Sequence, residues 1–120
     1  MLTLGVENIG DITVVACNGT IVRSNAALKL RNAVTSQRDV RILVIDLSEV
    51  RAIEGVALGT LWFLQRWSED HGIQLKLYDP TDSVRDRLEH NHSMLRFEIA
   101  TWEEMLSLLA RAEEPYARAA

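Results

Sequence analysis

At 120 residues the chain has room for one domain built on a single core. With 48% apolar and 25% charged residues, its composition is that of a soluble globular protein. The net charge of −4, with basic residues scattered among more numerous acidic ones, implies no nucleic-acid partner, short of a basic patch assembled in three dimensions.

Leu2 to Val6 and Ile12 to Cys17 are short β-favouring runs separated by Asn8-Ile9-Gly10-Asp11, whose residue types suit a tight turn, so a hairpin is predicted. Cys17 is the only cysteine, which rules out an intrachain disulfide; its apolar neighbours Val14, Val15 and Ala16 mark it as a core thiol. Asn18-Gly19 interrupts the strand pattern. Ser24 or Asn25 then stands where it could cap a first helix carrying Ala27, Leu28, Leu30, Arg31 and Val34 and ending near Gln37.

Val40 to Leu47 is dense in Val, Ile and Leu, as expected of a central strand covered on both faces, with Asp46 at its exit. After the segment Ser48 to Gly55, a second helix is predicted from Val56 to about His71, with Gly72 as its C-terminal cap. Ile73 to Tyr78 is the next strand. Asp79-Pro80-Thr81-Asp82 supplies a stop and a cap for a third helix over Ser83 to Glu89, and Leu95 to Ile99 makes a last short strand. Thr101 and Glu104 form a capping box before a final helix carrying Met105, Leu106, Leu108 and Leu109. The domain is expected over residues 1–114, with 115–120 a frayed tail. The pattern predicts a single-domain α/β fold, a mixed sheet of about five strands with about four helices.

The longest nearly uninterrupted apolar stretch, Val56 to Leu64, is too short to cross a bilayer, and Met1-Leu2-Thr3-Leu4 lacks a basic n-region. No membrane insertion and a cytoplasmic location are the expectation. His71, His90 and His92 have no cysteine nearby, and Glu89 beside His90-Asn91-His92 gives no clear third ligand, so no metal is expected. No Gly-x-Ser-x-Gly elbow, phosphate loop with lysine or Cys and His pairing is present, so no cofactor, catalytic residue or reaction class emerges. The predicted second helix carries Val56, Leu58, Leu61, Trp62, Phe63, Leu64 and Trp67 around more than one face. Either it is nearly engulfed, or a Trp lies exposed where a partner docks; Trp102 is ambiguous in the same way.

The run Arg41-Ile42-Leu43-Val44-Ile45-Asp46-Leu47-Ser48-Glu49-Val50 resembles the apolar strand ending in Asp-Leu-Ser of the STAS domain, shared by bacterial anti-sigma-factor antagonists and the tails of sulfate transporters. Ala52-Ile53-Glu54-Gly55-Val56-Ala57-Leu58-Gly59 follows, where that family commonly reads apolar, Asp, Ser, Ser or Thr, Gly, Leu, Gly. The resemblance extends from Gly19 to Gly72-Ile73-Gln74-Leu75 and the Pro80 turn, nearly the whole chain.

The resemblance implies a non-catalytic interaction module that binds an anti-sigma factor of the serine-kinase type or a signalling scaffold. Its contact surface would be Arg23, Ser24 and Asn25 with Glu54, Gly55, Val56, Ala57 and Leu58. In the family a serine or threonine just inside the second helix is phosphorylated, which switches binding off. A phosphate there adds about −1.5 to −2 charges and three acceptor oxygens. Here the two hydroxyl positions are Gly55 and Val56, neither of which can accept phosphate. Glu54, in place of the usual Asp, is either a substitute helix cap or a permanent charge imitating phosphate. The alternative is a domain sensing a small molecule or lipid beside Trp62 and Trp67, and homodimerisation is possible under either reading.

Overall fold

The hairpin forms from β1 (Leu2–Ile9) and β2 (Ile12–Ile21), which pair antiparallel through eight consecutive partners ending at Ile9 opposite Ile12. The loop is therefore only Gly10-Asp11, and Asn8 belongs to the ladder. The Thr13 hydroxyl donates to Asn8 Oδ1 at 2.5 Å, which holds that turn-favouring side chain inside the strand pair. The other elements are α1 (Ser24–Thr35), β3 (Ile42–Ile53), α2 (Val56–Asp70), β4 (Gln74–Tyr78), α3 (Asp82–His90), β5 (Glu98–Ala100) and α4 (Trp102–Ala112). The computed structural model describes residues 1–90 and 97–112; His92, the expected strand start at Leu95 and the tail lie outside them.

The strands form one mixed sheet in the order β1-β2-β3-β4-β5, with every pair after the hairpin parallel. Parallel neighbours need long crossovers, and α1, α2 and α3 supply them. Strand side chains alternate between faces. Val15, Leu43, Ile45, Leu75 and Leu77 point to the side covered by Ala27, Leu30 and Val34 of α1, Leu61 and Leu64 of α2, and Val84 and Leu88 of α3. Ile12, Ile42 and Val44 point to the other side, where Met105 and Ala112 of α4 cover them. The expected α/β architecture, a five-stranded mixed sheet with four helices among the described residues, is what the chain adopts.

Three local expectations are corrected. The strand expected to exit at Asp46 continues to Ile53. Its register against β2 slips twice, so β3 carries two extra residues between Asp46 and Ala52. Asp46 Oδ1 accepts hydrogen bonds from the Ser48 backbone N–H at 2.9 Å and the Ser48 hydroxyl at 2.6 Å, closing the first bulge locally. Beyond it, Leu47, Val50 and Ile53 are buried at intervals of three rather than two, so the alternation that marks a strand is lost although the pairing persists. Asn18-Gly19 likewise does not end β2, which runs on to Ile21 with Gly19 at φ +124°. Neither Ser24 nor Asn25 caps α1: the N-cap is Arg23, and Asn25 Oδ1 accepts only from the adjacent Ala26 N–H.

The remaining helix ends follow the sequence closely. At the C-terminus of α2, the Gly72 N–H bonds to the Glu69 carbonyl and the Ile73 N–H to the Ser68 carbonyl, a Schellman arrangement with Ile73 buried beyond it. Thr101 and Glu104 form the expected reciprocal capping box: Thr101 Oγ1 accepts from the Glu104 N–H at 3.1 Å and Glu104 Oε1 from the Thr101 N–H at 3.4 Å.

Candidate functional site

Parallel pairing of β2 and β3 makes their C-terminal ends leave the sheet together. Ile21 is the register partner of Ile53, and the Glu54 N–H donates to the Ile21 carbonyl at 3.2 Å. The two stretches singled out in the sequence, Arg23 to Asn25 and Glu54 to Leu58, thus start side by side although about thirty residues separate them. Arg23, Ser24, Asn25, Glu54, Gly55 and Val56 are all exposed. Ala57 turns into the core and Leu58 packs half-buried against it, so these two support the surface from beneath.

Gly55 is the N-cap of α2 and has φ +47° and ψ −108°. A Cβ there would meet nothing within 4 Å, so the constraint lies in the backbone. That conformation is open to glycine and costs other residues about 1–3 kcal/mol. The first of the two hydroxyl positions is therefore disfavoured for serine by this loop geometry, whereas Val56, the first helical residue, carries no such backbone constraint.

Glu54 does not cap α2, whose N-terminus has no side-chain cap. Its carboxylate instead pairs with Arg87 of α3 at 3.4 Å, both side chains being substantially exposed. The partner was invisible in the sequence, since nothing local links residue 54 to residue 87.

The aromatic surplus of α2 resolves differently from either expectation. Ala57, Leu61, Leu64 and Ser68 form the buried stripe, and Trp62 and Trp67 are half-buried, with Trp67 against the core and stacked on His71 at 4.6 Å. The exposed large apolar side chains of α2 are Val56, at 55%, and Phe63, at 39%, two helical turns apart on one face. Arg31 of α1 lies over the Phe63 ring, 4.2 Å from its centroid, and Leu28, one turn before Arg31, is also exposed. Val22, beside Arg23, is exposed as well. A count of apolar residues by helical face points to Val56 and Phe63; Val22 and Leu28 carry no comparable signal.

Two cavities flank these elements. One, of about 470 Å³, is lined by Met1, Leu2, Thr20, Val22, Arg23, Asn25, Ala26 and Lys29; the other, of about 530 Å³, lies between Lys76 and α4. Neither includes Trp62 or Trp67. Among the described residues no cluster of His, Cys, Asp and Glu could hold a metal, and no helix is long and apolar enough to cross a membrane.

A solved anti-sigma factor antagonist from Mycobacterium paratuberculosis has the same fold, with a TM-score of 0.77 and 20% identity over 92% of this chain and 95% of that one. The anti-sigma factor antagonist SpoIIAA is similar in its unphosphorylated form, with a TM-score of 0.74 and 15% identity over 90% of this chain and 96% of that one. The phosphorylated Bacillus form of SpoIIAA has a TM-score of 0.68 and 15% identity over 89% of this chain and 99% of that one. A sequence search among curated proteins finds no match. The STAS domain model matches residues 3–102, and the chain belongs to the STAS family.

Proposed function

We propose that the chain is a non-catalytic interaction module of bacterial signalling, acting in the cytoplasm. On this reading it binds an anti-sigma factor of the serine-kinase type, or a related scaffold, without being switched by serine phosphorylation. The observation that carries the reading is Val56, an exposed apolar side chain at the first position of α2, beside a glycine whose backbone disfavours serine. Arg23, Ser24, Asn25, Glu54, Gly55 and Val56 form the contact surface, with Leu58 half-buried beneath it and Ala57 anchoring it to the core. A desolvated apolar centre with a polar rim is the usual anatomy of a protein interface. The fold shared with anti-sigma factor antagonists supports the partner class.

The hydroxyls nearest this corner are poor substitutes for the missing one. Ser24 begins α1 on the neighbouring loop, and the Thr60 hydroxyl, one turn beyond Val56, donates to the Val56 carbonyl at 2.9 Å. Binding is therefore constitutive and set by abundance or by the partner's own state.

Affinity capture with the purified domain, followed by mass spectrometry, is expected to recover an anti-sigma factor of the serine-kinase type, and Val56→Glu is expected to lose it. Incubation with that kinase and ATP leaves the intact mass unchanged, while Val56→Ser gains one phosphate if the kinase still reads the surrounding loop. Phosphorylation of the wild-type domain at Ser24 or Thr60, or capture indifferent to Val56→Glu, contradicts the proposal. The alternative, a ligand beside Trp62 and Trp67, requires a saturable change in Trp fluorescence on adding a metabolite or lipid.

A further inference from the structure

The sheet ends on one side in β5, three residues long, and on the other in β1, eight residues long. The β1 edge is open. The Thr20 N–H donates to the Met1 carbonyl at 3.2 Å, and backbone direction alternates along a strand, so Met1, Thr3, Gly5, Glu7 and Ile9 turn their polar groups toward β2. Leu2, Leu4, Val6 and Asn8 turn theirs outward. Lys29 of α1 donates to the Leu2 carbonyl at 2.8 Å; among the described residues the outward backbone groups of Leu4, Val6 and Asn8 meet no other strand.

Sheet edges of this length are usually blunted by proline, lysine, a bulge or a covering element. Within β1 there is no proline, lysine or arginine, and its eight pairs with β2 run without a register shift. Val6 at its centre is 44% exposed. We propose that β1 is a self-association edge, pairing antiparallel with β1 of a second copy to make one sheet continuous through both.

The strand's own sequence selects the second copy and the register. With Gly5 on the dyad, Leu4 of each copy faces Val6 of the other, and Leu2 faces Asn8. Leu4 and Val6 lie on the side of the sheet covered by α1, where Leu4 already packs against the core, so this pairing extends the apolar layer across the seam. Thr3 faces Glu7, the only charged residue of β1, which avoids placing like charges opposite each other. The outward groups of Leu4 and Val6 then form four hydrogen bonds between the copies. A Cβ on Gly5 meets nothing within 4 Å, so the dyad is open to a side chain.

Gly5 on the dyad would sit in a pair that is not hydrogen-bonded, with the two Cα atoms about 4.5 Å apart, within the range a disulfide spans. Since Cys17 is buried, Gly5→Cys introduces the one exposed thiol of the described chain. Mild oxidation is expected to convert this variant to a covalent dimer. Thr3→Cys alone forms no covalent dimer, whereas Thr3→Cys mixed with Glu7→Cys crosslinks. In sedimentation velocity the wild-type protein dimerises as concentration rises, and Val6→Pro, which removes an outward N–H and the Val6 side chain without touching the bonds to β2, weakens this by roughly tenfold or more. Circular dichroism checks that each variant is folded. A wild-type protein monomeric at every concentration, self-association lost in Phe63→Ser but kept in Val6→Pro, or crosslinking of Thr3→Cys with itself, each overturns the proposal.

Discussion

The Ile21 carbonyl and the Glu54 N–H are joined by one hydrogen bond of 3.2 Å, and that bond sits where the two halves of the candidate surface leave the sheet. Ile21 and Ile53 behind it are buried in the main core. The corner is thus a pair of short loops on two adjacent parallel strand ends, and its shape is fixed by sheet register. In open α/β sheets such strand ends are where function collects, because loops there are free to vary while the scaffold is not.

Truncation of Ile53 tests how far the corner depends on that scaffold. Ile53→Ala removes a fully buried side chain from the last position of β3, and large-to-small changes of this kind cost about 2–5 kcal/mol. Denaturant unfolding is expected to show a loss in this range. A change below 1 kcal/mol, on the order of a surface substitution, would mean that the end of β3 is not held as described.

Gly19 gives a second, backbone-based test. Its φ of +124° disfavours any L side chain, and a Cβ there would press into the Met1 carbonyl oxygen. Gly19→Ala should therefore cost about 2 kcal/mol or more, from strain and from displacement of the first residues of β1. Gly5→Ala, in open space with ordinary backbone angles, is the control expected to stay within about 1 kcal/mol of wild type.

These tests also mark where the sequence could be read and where it could not. Helix ends with local chemistry, such as Thr101 with Glu104 or Gly72 before Ile73, are legible because their partners lie within five residues. The second half of β3 was not, because its bulges replace a period of two by a period of three, and the Asp46-Ser48 bond imitates a strand end. At the site, the residue types at Gly55 and Val56 were readable, but the Gly55 backbone angles, the reach of Arg87 to Glu54 and the placing of Arg31 on Phe63 are tertiary facts. Where a sequence signal depended on neighbours in space, it gave the wrong partner or none.

Glu54 and Arg87 offer a measurable case of such a hidden pair. Both side chains face solvent, so the ion pair is expected to contribute only about 0.2–1 kcal/mol. A double-mutant cycle of Glu54→Gln and Arg87→Met should give a coupling in that range, shrinking at high salt. Coupling well above it would assign the pair a structural role beyond surface electrostatics.

The Cys17 thiol is expected to be inert in the folded protein. Burial is the main cause that pushes its pKa up to about 12, and the Asp46 charge adds to it, so almost no thiolate exists near neutrality. A thiol reagent at about pH 8 should label it only as fast as the chain unfolds, with full labelling in denaturant. Rapid labelling under native conditions would show that β2 opens locally.

Acid stability should carry the signature of Glu98. Its Oε2 accepts from Lys76 Nζ at 2.9 Å and from Gln74 Nε2 at 2.8 Å, bonds that tie β5 to β4. The Lys76 bond is the main cause that holds the Glu98 carboxyl below its ordinary value of 4.5; burial opposes it, and the Gln74 bond and the Lys76 charge reinforce it. A depressed folded-state pKa means that the unfolded chain binds the proton more readily. The contribution to stability is therefore complete above 4.5 and is lost as pH falls through the lower folded value. Because the carboxylate is half exposed, its size is about 0.5–1 kcal/mol. Glu98→Gln keeps the shape but cannot titrate, so it should be less stable than wild type at neutral pH and converge with it in acid. Denaturant midpoints of the two proteins measured across this range should draw together as pH falls; curves that stay parallel would place the acid sensitivity of the fold elsewhere.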